Sequence, residues 1–205
     1  MSNLLQFLDP KFLIASFGLV GVIIIIFMET GCFFGFFFPG DSLLFTAGLL
    51  VSQGFLGGGP TIGLICLFLG SFAAAVLGDS VGYAFGKKAG PAIFSKEDSF
   101  FFRKAHIAKA QHFYEEHGRK TIILARFIPI VRTFAPIVAG IGNMRYRDFI
   151  VFNVIGGFFW TALLVGLGSG FGRIIPDPDN YLLPAVAIII IISILPALRQ
   201  VFKRL

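Results

Sequence analysis

Five ionisable residues stand in apolar sequence where charge is expensive: Glu29, Asp41, Asp79, Arg126 and Arg132. An ion at bilayer depth costs about 2.5–3.5 kcal/mol on insertion scales. Left unpaired, the five would together match or exceed an ordinary folding stability of about 5–15 kcal/mol. They must pair, face water or, for the acids, take up a proton. Arginine stays charged and presents a planar fork that suits phosphate bidentately. Arg126 and Arg132 flank Pro129, so both could converge on one anionic head group, with neighbouring glycine-rich backbone adding N–H donors. Acids repel phosphate while ionised, and burial disfavours a charged carboxylate in general. Glu29 and Asp41 are therefore candidates for proton uptake and release, and Asp79 is a third acid available for charge pairing. The bland alternative is a salt-bridge network that only staples segments together. Such networks seldom add stability over apolar packing, which favours a functional role.

The segments that position these residues are those of a membrane protein. The chain has 205 residues, 56% hydrophobic and 14% charged, with mean hydropathy +0.86; soluble domains carry about 25% charge. No low-complexity linker divides it, so residues 1–205 read as one membrane domain. Apolar runs Phe12–Met28, Thr61–Phe85, Phe149–Phe171 and Tyr181–Leu198 are about long enough to span. Gly78, Gly82, Gly86 and Gly90 recur every fourth residue, giving one helix face that admits a close neighbour. Two other apolar segments are broken, one by Pro39-Gly40 and one by Pro129, Pro136 and Gly140. Paired interrupted segments in two halves point to a transport site built from repeats. Irregular backbone is tolerated at depth where protein or a water-filled cavity satisfies it. These segments, about 29–50 and 121–142, are expected to be re-entrant hairpins.

Charge placement sets the expected topology. Before Lys87 the only base is Lys11, whereas Lys87, Lys88, Lys96, Arg103, Lys104, Lys109, Arg119 and Lys120 crowd the polar region 87–120. Arg199, Lys203 and Arg204 close the chain. Bases gathered between apolar spans follow the positive-inside bias, which argues against nucleic acid as the partner. With both hairpins re-entrant, the two basic clusters and both termini fall in the cytoplasm. Part of the polar region, "FRKAHIAKAQHFYEEHG", has the composition of an interfacial amphipathic helix. It carries His106, His112 and His117 without the neighbouring ligands a metal needs. Cys32 and Cys66 lie in apolar sequence with no metal-ligand spacing and read as packed thiols. No leader cleavage pattern is evident in "MSNLLQFLDPK", so the first span is expected to remain as an anchor. The expected fold class is all-α integral membrane protein: about four transmembrane helices plus two re-entrant helical hairpins in an inverted repeat, with an interfacial helix.

Three blocks carry a family resemblance. The first is Glu29-x-Gly31 followed by Pro39-Gly40-Asp41. The second is Gly78-Asp79, then Gly82-Tyr83-x-x-Gly86 and Gly90. The third is Arg126-Phe127-x-Pro129-x-x-Arg132-Thr133-x-x-Pro136-x-x-Ala139-Gly140. In this order and spacing they resemble the DedA family, also called the SNARE-associated or VTT-domain family, over about residues 12–200. The resemblance implies lipid transport linked to the proton motive force. Bacterial members are similar to translocases of undecaprenyl phosphate, and eukaryotic relatives to phospholipid scramblases. It places the family's essential acids on Glu29 and Asp41 and its essential arginines on Arg126 and Arg132.

Several functions remain open. A proton-linked flippase for a polyprenyl phosphate is the leading one, its partners being the membrane lipid and protons. A general phospholipid scramblase is the nearest alternative. An ion–proton antiporter would use the acids, but paired arginines suit a cation path poorly. An enzyme acting on lipid phosphate would need a nucleophilic histidine at membrane level or a metal cluster. All three histidines instead lie in the polar region. No catalytic residue, cofactor or metal is expected.

Overall fold

The computed structural model describes residues 10–31, 40–55, 59–94 and 121–174. The secondary structure among them is helical: α1 (Pro10–Gly31), α2 (Gly40–Ser52), α3 (Pro60–Phe94), α4 (Thr121–Ala125), α5 (Pro129–Ile141) and α6 (Tyr146–Ile174). Pro39, Cys32, residues 95–120 with the expected interfacial helix and the three histidines, and the last apolar run Tyr181–Leu198 lie outside the described residues.

Stretches Pro60–Ala89 of α3 and Tyr146–Ile174 of α6, 30 and 29 residues, are long and apolar enough to cross a membrane. Helices α2 and α5 have 13 residues each, about 20 Å at the usual rise, short of a hydrocarbon core of about 30 Å. Helix α2 is buried continuously from Ser42 to Val51. A helix apolar on all sides belongs in an interior, and α2 fills the middle of the described bundle. Leu43, Leu44 and Leu49 meet Ile14, Val22 and Ile26 of α1, Leu67 of α3 and Trp160 of α6 in one core. The outside is apolar too: Phe17, Ile62, Leu69, Phe85, Phe159 and Ile174 are exposed, while Glu29, Asp79, Arg126 and Arg132 are buried. A water-soluble protein does not expose so much contiguous apolar surface; lipid is the solvent that fits, and the chain is a membrane protein.

Glycine sets how closely the helices approach. A β-carbon at Gly86 of α3 would overlap the Ile137 backbone of α5, and one at Gly140 of α5 would overlap the Tyr83 carbonyl. The glycine ladder is divided between two neighbours: Gly78 faces Phe27, Thr30 and Gly31 of α1, whereas Gly86 faces α5. Helices α2 and α6 meet in the same manner, with Gly168 against Phe45 and Gly172 against Leu49. Backbone freedom matters at Gly18, whose φ of 59° kinks α1 within an otherwise uniform apolar run. That left-handed conformation is strained for any residue with a β-carbon.

Two boundaries differ from the sequence reading. Helix α1 continues through Gly31, so Glu29 belongs to the last turn of the first helix and does not open a separate hairpin. Met28 and Glu29 are good helix formers, and nothing before Gly31 stops the helix. Helix α3 runs to Phe94, beyond the expected Phe85, because Lys87, Lys88 and Ala89 favour helix as well. Their charge forecasts an exit from the bilayer, not an end of helix.

Candidate functional site

Five of the six helices, together with the α4–α5 turn, supply the buried polar centre. The last turn of α1 brings Glu29 and Thr30, and the first turn of α2 brings Asp41. Asp79 comes from the interior of α3, Arg132 from α5, and Asn153 and Trp160 from α6. Arg126 sits in the turn between α4 and α5, where the amides of residues 126, 127 and 128 each bond to the carbonyl three residues back. Those bonds satisfy the turn's donors at depth. Pro129 then starts α5, a position where its missing N–H does no harm.

The polar residues form two groups. In the first, Arg132 gives Nη2 to Glu29 Oε1, and Nη1 to Asp41 Oδ1 at 2.5 Å. The same Asp41 oxygen accepts the indole N–H of Trp160 at 2.9 Å. The guanidinium carbon lies 5.0 Å from the Trp160 ring centroid, within cation–π range. Glu29 Oε2 is buried with no hydrogen-bond partner among the described residues and presses against Gly40, where a β-carbon would collide with it. In the second group, Arg126 gives Nη2 to Asp79 Oδ2 and to Asn153 Oδ1. The Ala75 carbonyl lies 3.4 Å from the same nitrogen. Asn153 Nδ2 donates to the Val76 carbonyl at 3.1 Å, which turns its oxygen toward the arginine. Gly156 and Gly157 make the slot for Arg126: β-carbons there would lie 3.0 Å from Arg126 Cδ and 3.4 Å from Nη1.

A narrow cleft joins the groups, lined by Thr30, Asp79, Arg126, Arg132 and Trp160, with no room for a water-sized body as it stands. Ionised, the three carboxylates outnumber the two guanidiniums, so the centre carries one excess negative charge. Arginine forks that hold carboxylates can hold a phosphate in the same manner. The pairs must first open, since breaking a buried pair outright costs about 3–5 kcal/mol.

The five charged residues singled out in the sequence thus converge. Their pairing, which the sequence alone left unassigned, is specific: Glu29 and Asp41 serve Arg132. Arg126 is served by Asp79, because the α4–α5 turn abuts the middle of α3. Gly40 lies in the centre, against Glu29. Pro136 and Gly140 lie along α5 away from it, Gly140 in the seam with α3 and Pro136 within the helix. Asn153, Trp160 and the Gly156–Gly157 slot were not anticipated. A signal exists in "NVIGGFFW": an amide inside an apolar span, with the chain's single tryptophan two helical turns on and on the same face.

The VTT domain profile matches residues 38–170, which takes in Asp41, Asp79, both arginines, Asn153 and Trp160. Protein DedA of Escherichia coli K12 is 44% identical over 180 residues, covering 88% of this chain and 80% of that protein. An uncharacterized membrane protein of Mycobacterium tuberculosis H37Rv is 42% identical over 201 residues, covering 93% and 84%. The inner membrane protein YqjA of Escherichia coli K12 is 32% identical over 150 residues, covering 73% and 66%. No solved structure matches. A buried two-arginine centre inside an apolar-surfaced helical bundle, and these matches over most of its length, make the chain a member of the DedA family of VTT-domain membrane proteins.

Proposed function

We propose that the chain is a lipid transporter that moves undecaprenyl phosphate, a polyprenyl phosphate carrier lipid, across the cytoplasmic membrane, with Arg126 and Arg132 as phosphate ligands. The observation that carries this reading is that both arginines, each held by carboxylates, line one cleft. Trp160, on the same cleft, is at the half-length of α6, the depth at which transporter sites form. Helices α2 and α5 both begin beside the centre. Helix starts carry partial positive charge, which favours an anion.

In this reading the phosphate replaces carboxylates on the guanidinium forks. The released acids then take protons, Glu29 first among them because Oε2 already lacks a donor. An anion entering a centre with one excess negative charge needs such neutralisation, which links transport to a proton gradient. The segments that carry α2 (40–52) and α4–α5 (121–141) belong to re-entrant elements approaching from opposite faces, an inverted repeat with region 87–120 and both termini in the cytoplasm. The shortness of α2 and α5 supports that arrangement.

The test is flipping of defined lipids by the purified protein in vesicles, with and without a pH gradient. Polyprenyl phosphate should cross faster than in protein-free vesicles, faster still with the gradient, and no faster than in protein-free vesicles with membrane-integrated Arg132→Ala. Zwitterionic phospholipid moving equally fast would replace selective transport with general scrambling. Full activity in Arg126→Ala and Arg132→Ala would remove the phosphate-clamp role.

A further inference from the structure

Trp160 has no role in the account so far, yet it touches both sides of one ion pair. Its N–H donates to Asp41 Oδ1 at 2.9 Å, the oxygen that also takes Arg132 Nη1 at 2.5 Å. Its ring lies under the Arg132 guanidinium at 5.0 Å. Trp160 is itself buried, with 3% of its surface exposed, and lines the cleft that holds both arginines.

From this geometry we infer that Trp160 is the positioning residue that keeps hold of both Asp41 and Arg132 while their pair opens for a phosphomonoester. The inference rests on the phosphate-binding reading of the cleft. When a phosphate draws Nη1 away, Asp41 Oδ1 keeps the indole donor. Arg132 meanwhile keeps the ring face as it turns. Phenylalanine would supply the ring and no donor; leucine would supply neither. The structural alternative, a tryptophan that merely fills the core, gives no reason for both contacts to fall on the two partners of a single pair.

The sequence contains one tryptophan, so selectively excited tryptophan emission of the unsubstituted full-length protein comes from Trp160 alone. Detergent-solubilised protein is titrated with farnesyl monophosphate or with farnesol, and isoprenyl phosphate flipping is measured in vesicles. The emission should change saturably with farnesyl monophosphate and not with farnesol, and the response should vanish in Arg132→Gln. Flipping should fall about fivefold in Trp160→Phe, as for loss of one hydrogen bond. It should fall further in Trp160→Leu, which also loses the cation–π contact. Flipping by the unsubstituted protein without any emission change, or Trp160→Phe and Trp160→Leu flipping at the unsubstituted rate, overturns the role of Trp160 and leaves the transport reading intact. An emission response to farnesyl monophosphate without any flipping keeps Trp160 as a phosphate-site residue and overturns transport. Neither signal overturns both.

Discussion

Arg132 is held by two carboxylates and an indole ring, Arg126 by one carboxylate and an amide, and the two should respond differently to substitution. Lysine at 126 is shorter, so its ammonium falls short of the point where Arg126 Nη2 meets Asp79, Asn153 and the Ala75 carbonyl, and it lacks the planar fork that suits a phosphate. Arg126→Lys should retain the fold but lose about tenfold or more in flipping, measured on reconstituted protein. Asn153→Leu removes an acceptor from a buried guanidinium, a deficit of about 1–3 kcal/mol; it should lower the melting temperature in detergent and slow flipping in parallel. Glu29→Gln removes the acid whose second oxygen is unpartnered. Flipping measured across pH should then lose part of its pH dependence, and an unchanged profile excludes Glu29 from proton coupling. The charged members of the centre were legible because charge in apolar sequence is conspicuous. Asn153 and Trp160 were not, because an amide or a tryptophan on a spanning helix is unremarkable until one knows which residue faces it.

Between elements, the contacts that align the site are backbone against backbone. A β-carbon at Gly86 or Gly140 meets main-chain atoms of the facing helix, which cannot rotate away as a side chain can. Gly86→Ala and Gly140→Ala should each destabilise by about 1–3 kcal/mol, as overpacking does, and should displace Arg132 by moving α5. Among the described residues, nothing lies within 4 Å of a β-carbon added at Gly166 of α6. Gly166→Ala should therefore be neutral or stabilising by up to about 1 kcal/mol through helix propensity. Thermal unfolding in one detergent compares all three. The repeat of Gly78, Gly82 and Gly86 was readable as a face. Its division between α1 and α5 was not, because spacing along one helix carries no information about where its neighbours cross. The persistence of α1 through Glu29 was missed for a related reason: the charge looked like a boundary, whereas a helix stops only where backbone or capping stops it.

For the molecule as a whole, the inversion of ordinary proteins, with apolar residues outside and ions inside, was legible from composition and from the grouping of bases. Which ions pair was hidden, since the pairs join residues 47, 91 and 103 positions apart. That separation has a consequence for synthesis. Glu29, Asp41 and Asp79 all leave the ribosome before either arginine, so the amino-terminal helices reach the bilayer with acids and no counterions. Each unpaired acid costs about 2.5–3.5 kcal/mol on insertion scales, so this half alone is less firmly held in the bilayer until Arg126 and Arg132 arrive. A chain ending after Phe94, translated into inverted membrane vesicles, should be extracted by alkali more readily than the full-length chain. Alkali-resistant integration of the short chain would show that the acids enter without their partners. The order in which the ions are made thus sets when the cost of the buried acids is relieved.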